Sequence, residues 1–467
     1  MADLNYKELG FKSGIECHQQ LETHKLFCNC PSLVNDNSKA DIIVKRRLRV
    51  VEGESGEKDK AAQYEKTKNK EFIYEACSSS SCLIELDEQP PLELNRDALR
   101  IVLEIALLLK CKIVDKINVM RKIVIDGSNP TGFQRTMLIG YDGYIETIKG
   151  KVKIDTICLE EEAAKKISEN EDSVTYRLDR LGVPLVEIAT SPDIIDNEHA
   201  KETASIIGMI LRSTEKVKRG IGSIRQDLNV SIKGHPRVEI KGFQELRDIP
   251  KAIDIEIERQ LKENIGSHVR YINKDLSSKY LRPMPGSARM YPETDIEDIT
   301  LNKEILDSIK LPELIVEKVL SLEQKYKIDD VLASEIIKNK IDFESYVKRY
   351  TVSPEIIAET IINIPKEYKK RFDNYVSKEE IEKILEYLSK NLISKNDIID
   401  VISDMKNNKL DLNKYKKMDI KNIEHEIKEI VEKNKSLSEN AIMGMIMKKY
   451  KGNVNGKDVM SLIKKFK

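Results

Sequence analysis

Residues Ser13–Ser32 read SGIECHQQLETHKLFCNCPS. How the first half of this stretch is taken decides the fold. Read as a β-strand, SGIECHQQL alternates, so Glu16, His18 and Gln20 share one face while Cys17 and Gln19 share the other. Similar stretches recur through the first 300 residues: VKRRLRVV, INVMRKIVI, GYIETIKGKVKIDTICL, VPLVEIA, IRQDLNVSI and RVEIKGF. Turn signals such as DGSNPTG and YDGY separate them. Two segments between them, RDALRIVLEIALLL and NEHAKETASIIGMILRSTEK, have helical apolar spacing. Strands and helices do not alternate regularly, which predicts an α+β fold on a large antiparallel or mixed sheet rather than a doubly wound one.

Past the Pro- and Gly-rich link LRPMPGSARMYPETD the periodicity becomes helical, as in PELIVEKVLSLEQKY, EEIEKILEYLSKN and IKNIEHEIKEIVEKN. The expected organisation is a sheet domain over residues 1–300, a helical domain over 301–405 and a small helical tail over 406–467. The 467 residues suffice for several cores. Formal charge is zero, yet residues 406–467 carry 16 Lys against 8 Asp or Glu. A basic tail on an acidic body points to a polyanionic partner, or to a solvated Lys-rich helix face. No apolar run approaches the roughly 18 residues of a membrane span, and the N-terminus lacks the apolar core of a signal peptide. A cytoplasmic location, away from membranes, is expected. Seven cysteines in such a chain read as metal ligands or buried thiols rather than a disulfide framework.

Several patterns carry chemistry. Glu16 and His18 on one strand face suit a divalent cation if further carboxylates join them, and equally suit a solvated strand face. LEEEAAK offers Glu160, Glu161 and Glu162, and PLVEIAT offers Glu187 among apolar neighbours. A carboxylate there needs a partner. Arg225, Asp227 and Asn229 alternate on one candidate strand, and Arg237, Glu239 and Lys241 on the next. A hairpin of the two lines a polar cavity able to neutralise phosphate, or shows one wet face with cross-strand ion pairs. Cys28 and Cys30, with Cys77 and Cys82, could close a tetrahedral zinc site. Cys17, Cys111 and Cys158 read as core residues. Common phosphate-loop, dinucleotide, nucleophile-elbow and zincin motifs are absent from the sequence. There is no Trp and aromatics make up 5%, which argues against a base-stacking platform for single strands.

Taken in order, GIECHQQLETHKLFCNCPS, CLIELDEQPP, VMRKIVIDGSNPTGFQRT, LEEEAAK, LDRLGVPLVEIATSPDI, KRGIGSIRQDLNVSI, RVEIKGFQEL and YLRPMPGSARMYPETD resemble the B/E family of tRNA-dependent amidotransferase subunits. MRKIVIDGSNPTGFQRT looks like the archaeal E-type version. AIMGMIMKKYKGNVNGKDVMSLIKK resembles the family's tRNA-binding tail. The resemblance implies a cradle-shaped domain, a helical domain and a tail. It implies a carbon–nitrogen ligase that uses ATP and Mg2+ to activate the glutamyl γ-carboxylate of Glu-tRNA(Gln) and amidates it with ammonia. The ammonia would come from an asparaginase-like amidase partner (GatD), in a heterotetramer of two D-type and two E-type chains. By the same resemblance Glu16, His18, Glu161 and Glu187 match the magnesium site, with Glu16, His18, Asp227 and Lys241 as catalytic residues. Arg225, Asn229 and Glu239 would bind nucleotide or substrate. Cys28, Cys30, Cys77 and Cys82 fall where members can carry Zn2+. The tail lysines Lys448, Lys449, Lys451 and Lys457, with Lys416 and Lys417, would meet tRNA phosphates. One departure stands out: the inserted domain usual in E-type chains is missing near residues 265–280, where only GSHVRYINKDLSS stands. Two rivals remain. One is a tRNA-binding scaffold that keeps the fold but not the chemistry. The other is a zinc hydrolase, disfavoured because four thiols would close the metal's shell.

Overall fold

The computed structural model describes residues 4–33, 39–53, 55–263, 265–286, 289–415, 420–435, 437–450, 454 and 456–467. It divides into two units, residues 1–315 and 316–467.

The first unit is built on an eleven-stranded sheet. Its strands are β1 (Lys12–Gln20), β2 (Lys112–Ile113), β3 (Met120–Ile123), β4 (Phe133–Thr147), β5 (Gly150–Glu161), β6 (Pro184–Thr190), β7 (Ile224–Ser231), β8 (Val238–Phe243), β9 (His268–Ile272), β10 (Ser278–Pro283) and β11 (Met290–Pro292). Across the sheet the order is β10-β9-β8-β7-β1-β6-β5-β4-β3-β11, with β2 paired to β4. The β8–β9 pair is parallel and the other neighbours are antiparallel, so the sheet is mixed.

Alternation splits the sheet into two faces. Ile15, Cys17, Val186, Ile188, Ile157, Leu159, Leu228, Val230 and Ile240 join one apolar core. Three helices cover it: α1 (Arg96–Leu108), α2 (Asn197–Ser213) and α3 (Ile249–Lys262), contributing Leu99, Val102, Leu103, Ile207, Leu211, Ile253 and Ile257. Local chemistry starts two of them. Asn95 accepts from the backbone N–H of Asp97 and Ala98, both at 3.0 Å, and Asp196 accepts from that of His199 at 2.8 Å. These bonds satisfy amides that a helix start leaves unpaired.

A four-stranded sheet stands beside it in the same unit, ordered Ile42–Arg46, Glu71–Ala76, Ser173–Arg177, Lys165–Glu169. Tyr74 and Tyr176 donate their hydroxyls to the carbonyls of Gly127 and Asp126, both at 2.8 Å, which pins the DGSNPTG loop. Gly127 has φ +87°, and a Cβ there would lie 2.1 Å from the Phe72 ring, so only glycine fits.

The segment LRPMPGSARMYPETD is not a linker between units. It holds β10 and β11, which are the two opposite edges of the large sheet. Ten strands laid flat would put those edges roughly 43 Å apart. The link from Pro283 to Met290 reaches at most about 25 Å. The sheet is therefore curled until its edges face each other, and the polar face lies inside the curl, because the other face carries the helices. The edges do not pair, so the curl is open. Residues 265–280 hold β9, a tight turn with the Asn273 N–H bonded to the Ser277 carbonyl at 2.8 Å, and the start of β10. No inserted domain stands there among the described residues. Ile305, Leu306, Ile309 and Leu314 pack on the first core, which is why this unit runs to Ile315 rather than 300.

The second unit is helical and has two separate cores. One gathers Ile328, Ile336, Ile357, Leu385 and Val401 among others, and the second Ile427, Val431, Ile442, Ile446, Val459 and Ile463. The basic tail thus has a core of its own. No helix among the described residues is long and apolar enough to cross a membrane.

Candidate active site

Strand register assembles the site from four chain-distant segments. In the β1–β6 ladder His18 faces Glu187, and in the β1–β7 ladder Glu16 faces Asp227 and His18 faces Arg225. Asn229 faces Glu239 across β7–β8, and β5 places Cys158 opposite Glu187. Directly opposed residues of a ladder point to the same face. The predicted hairpin of polar strands therefore exists, and it lies against β1.

The side chains fall into four bonded groups on this face. His18 Nε2 lies 3.0 Å from Glu187 Oε2. Lys122, from β3, pairs with Glu160 and stands 3.7 Å from Glu187. Glu160 also accepts from Thr136 at 2.7 Å and Gln134 at 3.0 Å. Arg225 donates to both oxygens of Glu162 at 3.1 Å, and Gln20 donates to Glu162 at 3.2 Å. Lys241 donates to Asp227 at 2.8 Å and pairs with Glu239, while the Gly242 N–H reaches the other Asp227 oxygen at 3.0 Å. Asn229 donates to Glu16 at 3.1 Å.

Charge is unevenly compensated. Burial tends to raise Glu187, but Lys122 and then His18 hold its carboxyl well below the ordinary range. Burial likewise works against Asp227, and Lys241 more than offsets it, so Asp227 stays below its usual value. Burial and Arg225 oppose a charge on His18; the bond to Glu187 and the charges of Glu187 and Asp227 prevail and raise it. Glu16 is the exception. Burial of its carboxyl and the nearby Glu239 push it up, and Lys241 offsets this only in part. A carboxylate left short of positive charge fits a cation site.

The donor set agrees. Ligand atoms of Glu16, His18 and Glu187 all lie within 4.8 Å of one another, as do those of Glu16, Asp227 and Glu239. His18 Nδ1 and Asn229 Oδ1 are buried without a hydrogen-bond partner. Two carboxylates and an imidazole suit a hard divalent ion that keeps other positions open.

Glu161 does not join them. On β5 it lies on the side of Leu159, away from His18, and pairs with Arg135 at 3.3 Å. Burial outweighs Arg135 and raises its carboxyl. Its neighbour Glu160 is the residue on the site face. Leu159 belongs to the core, so strand alternation sends Glu160, not Glu161, to the opposite face. Cys158, read as core, stands half-buried on the site face. Lys122 had no sequence signal, because it sits in VMRKIVI, a stretch read only as strand.

The cysteines regroup as well. Cys28, Cys30 and Cys82 cluster with Glu85, their ligand atoms within 4.8 Å of one another. Cys77 stands outside: its sulfur accepts from Arg177 at 3.2 Å. Cys28 and Cys82 donate to Glu85 at 3.0 and 3.1 Å, and fully buried Lys25 pairs with the same carboxylate at 2.9 Å. Burial and Glu85 raise both thiols, Cys82 to about 12. Lys25 overcomes burial to hold Glu85 below its usual value. Three sulfurs and a carboxylate suit a tetrahedral zinc ion once the thiols lose their protons.

In the tail, Lys448 and Lys449 close the helix Glu439–Lys449, and Lys457 lies in the helix Gly456–Phe466. Lys449 pairs with Glu426 at 2.6 Å. Lys416, Lys417 and Lys451 lie outside the described residues.

Comparison with known proteins adds a family. Residues 11–307 match the model described as the GatB/GatE catalytic domain. The chain is 33% identical to the E-type subunit of the glutamyl-tRNA(Gln) amidotransferase of Methanosarcina acetivorans, covering 100% of this chain and 99% of that protein. It is 35% identical to the corresponding protein of Methanocaldococcus jannaschii and 34% identical to that of Saccharolobus solfataricus, each over 99% of both chains. These alignments run over 629, 625 and 631 positions against a chain of 467 residues, so the relatives carry segments that this chain lacks.

Proposed function

The chain belongs to the GatB/GatE family, and on that premise we propose that it is a subunit of a tRNA-dependent amidotransferase that converts Glu-tRNA(Gln) to Gln-tRNA(Gln). The observation that carries this reading is the partly buried face on which Glu16, His18, Glu187 and Asp227 stand among Lys122, Arg225 and Lys241. Such a face suits chemistry in which negative charge is gathered and then displaced. The glutamyl γ-carboxylate is a poor acyl donor because oxide leaves badly. Transfer of the ATP γ-phosphoryl group to a carboxylate oxygen gives an acyl phosphate and ADP. Ammonia then attacks the acyl carbon, phosphate leaves with the bonding pair, and a proton is lost from nitrogen.

The chain's own residues divide that work. Arg225 and Lys241 supply positive charge to the phosphoryl oxygens. Asp227 keeps Lys241 in place and charged. Glu187 holds the His18 ring in a fixed orientation. Glu16, His18 and Glu187 are the residues that would hold magnesium, which when bound supplies further charge neutralisation for phosphate. Ammonia comes from an asparaginase-like amidase partner.

The test is phosphate release with ATP, magnesium and either Glu-tRNA(Gln) or uncharged tRNA. Turnover that requires the glutamyl ester supports the reading. Tight tRNA binding with no ATP cleavage, even when ammonia and the amidase are supplied, makes the chain a scaffold.

Two further expectations follow. Zinc is bound by Cys28, Cys30, Cys82 and Glu85, so Cys82→Ser should lose the metal measured by elemental analysis of the purified chain, whereas Cys77→Ser should keep it. Equal loss in both variants would restore Cys77 to the site. Removing residues 406–467 should weaken Glu-tRNA(Gln) binding and flatten its salt dependence. Each phosphate no longer neutralised should reduce the slope of log affinity against log salt by about 0.7–0.9. Activation at saturating tRNA should persist. Unchanged binding by the truncated chain removes the tail from tRNA recognition.

A further inference from the structure

Among the described residues Lys25 is the most deeply buried lysine, with a side chain 0% exposed. Its ammonium lies 2.9 Å from Glu85 Oε1 and donates to the Leu178 carbonyl at 3.2 Å. A buried ion pair adds little to stability by itself, because each charge gives up its water. The groups around this pair give it a second task.

Most of them belong to the cysteine cluster. The Lys25 backbone N–H donates to the Cys30 carbonyl at 3.0 Å, closing the loop that carries Cys28 and Cys30. His24 Nδ1 stands 2.8 Å from the Lys25 carbonyl and 3.0 Å from that of Cys28, which stiffens the same loop. Glu85 Oε1, the oxygen Lys25 holds, also accepts from the Cys28 thiol at 3.0 Å. Glu85 Oε2 accepts from the Cys82 backbone N–H at 2.8 Å and from the Cys82 thiol at 3.1 Å. Lysine therefore fixes one carboxylate oxygen and the Cys82 turn fixes the other.

Charge points the same way. Zinc held by three thiolates and a carboxylate leaves two net negative charges, one more than Glu85 carries alone. A net charge out of water needs a counter-charge. Arg135 lines the same small recess as Lys25, Cys28 and Glu85, but it is taken by Glu161 at 3.3 Å and Glu293 at 2.8 Å. Arg177 is taken by Asp179 at 2.7 Å and by the Cys77 sulfur at 3.2 Å. Lys25 is the cation bonded to the cluster itself.

We propose that Lys25 is the positioning residue and counter-charge of the zinc site. It holds Glu85 by Oε1, so that Oε2 meets the metal beside Cys28, Cys30 and Cys82, and it neutralises part of the excess negative charge. The inference rests on the zinc reading of that cluster. It also gives a reason for a carboxylate as the fourth ligand: a carboxylate has a second oxygen to offer a lysine, and a thiolate does not.

The test is zinc affinity of the full-length chain by competition with a chromophoric chelator. Zinc content by elemental analysis and the melting temperature of each zinc-free variant are measured alongside. Lys25→Met should weaken zinc binding about ten- to a hundredfold, and Lys25→Arg less. With cobalt in place of zinc, the parent should show the absorption of a tetrahedral, sulfur-ligated ion. Lys25→Met should show a weaker band at equal cobalt content. Because Lys25→Met leaves Glu85 buried without its cation, the same change is also made on Glu85→Cys, where no carboxylate is orphaned. There too, loss of Lys25 should weaken zinc binding, by about tenfold. Equal affinity with and without Lys25 in both backgrounds, whatever the melting temperatures, makes the lysine purely structural and overturns the proposal. A loss confined to the Glu85 background keeps the orienting role and overturns the counter-charge. A parent chain that takes up no zinc overturns the zinc reading itself.

Discussion

Glu16→Gln is expected to lower tRNA-dependent phosphate release at least about a hundredfold while leaving the fold intact. Gln matches Glu in shape and keeps an oxygen to accept from Asn229, which donates to Glu16 at 3.1 Å. Only charge is removed. In the parent chain burial and Glu239 raise the Glu16 carboxyl. Its folded form therefore binds the proton more tightly than the unfolded form does. That contribution to stability is fully present below the ordinary carboxylate value and is lost as pH rises through the raised folded value. At neutral pH Glu16 is a cost that Gln does not carry. The variant should melt at the parent temperature or a few degrees above it. Activity lost together with stability would mean that Glu16 is structural; activity retained would move the chemistry off the SGIECHQQ strand.

Lys122→Met should destabilise the first unit by about 3–5 kcal/mol, read from its urea unfolding midpoint at unchanged slope. The ammonium is buried between Glu160 and Glu187. Removing it leaves two carboxylates facing each other in the curl. Pairing the change with Glu160→Gln should recover a large part of the loss, because His18 still holds Glu187 at 3.0 Å. The pH dependence has a definite sign. Glu187 is held well below the ordinary carboxylate range, chiefly by Lys122 against burial. Its stabilisation is present above the unfolded value and disappears only as pH falls through the depressed folded one. Without Lys122 that loss should occur at higher pH. A Lys122→Met chain as acid-resistant as the parent would show that the ammonium is not what holds Glu187 down.

Much of this was legible in the chain itself. Period-two alternation in SGIECHQQL, VPLVEIAT, IRQDLNVS and VEIKGF separates core from polar face, and the structure keeps that separation in β1, β6, β7 and β8. The helices at Arg96–Leu108 and Asn197–Ser213 follow from apolar spacing and from the caps Asn95 and Asp196. Such features are local: a side chain's face depends on its neighbours two or four positions away.

What tertiary structure alone decided is pairwise and distant in sequence. Glu160 rather than Glu161 joins Glu187 because the β5–β6 register fixes which carboxylate shares the His18 face. Glu85 rather than Cys77 joins Cys28, Cys30 and Cys82, because Arg177 occupies the Cys77 sulfur. Lys122 enters the site from a strand more than a hundred residues from His18 and stands there 3.7 Å from Glu187. The physical reason is the same each time. Sequence pattern fixes to which side of a strand a residue points, since that follows from backbone geometry. Which strands lie side by side, in what register and with what curl, follows from the sum of many weak packing interactions across the unit, and no short stretch carries that sum.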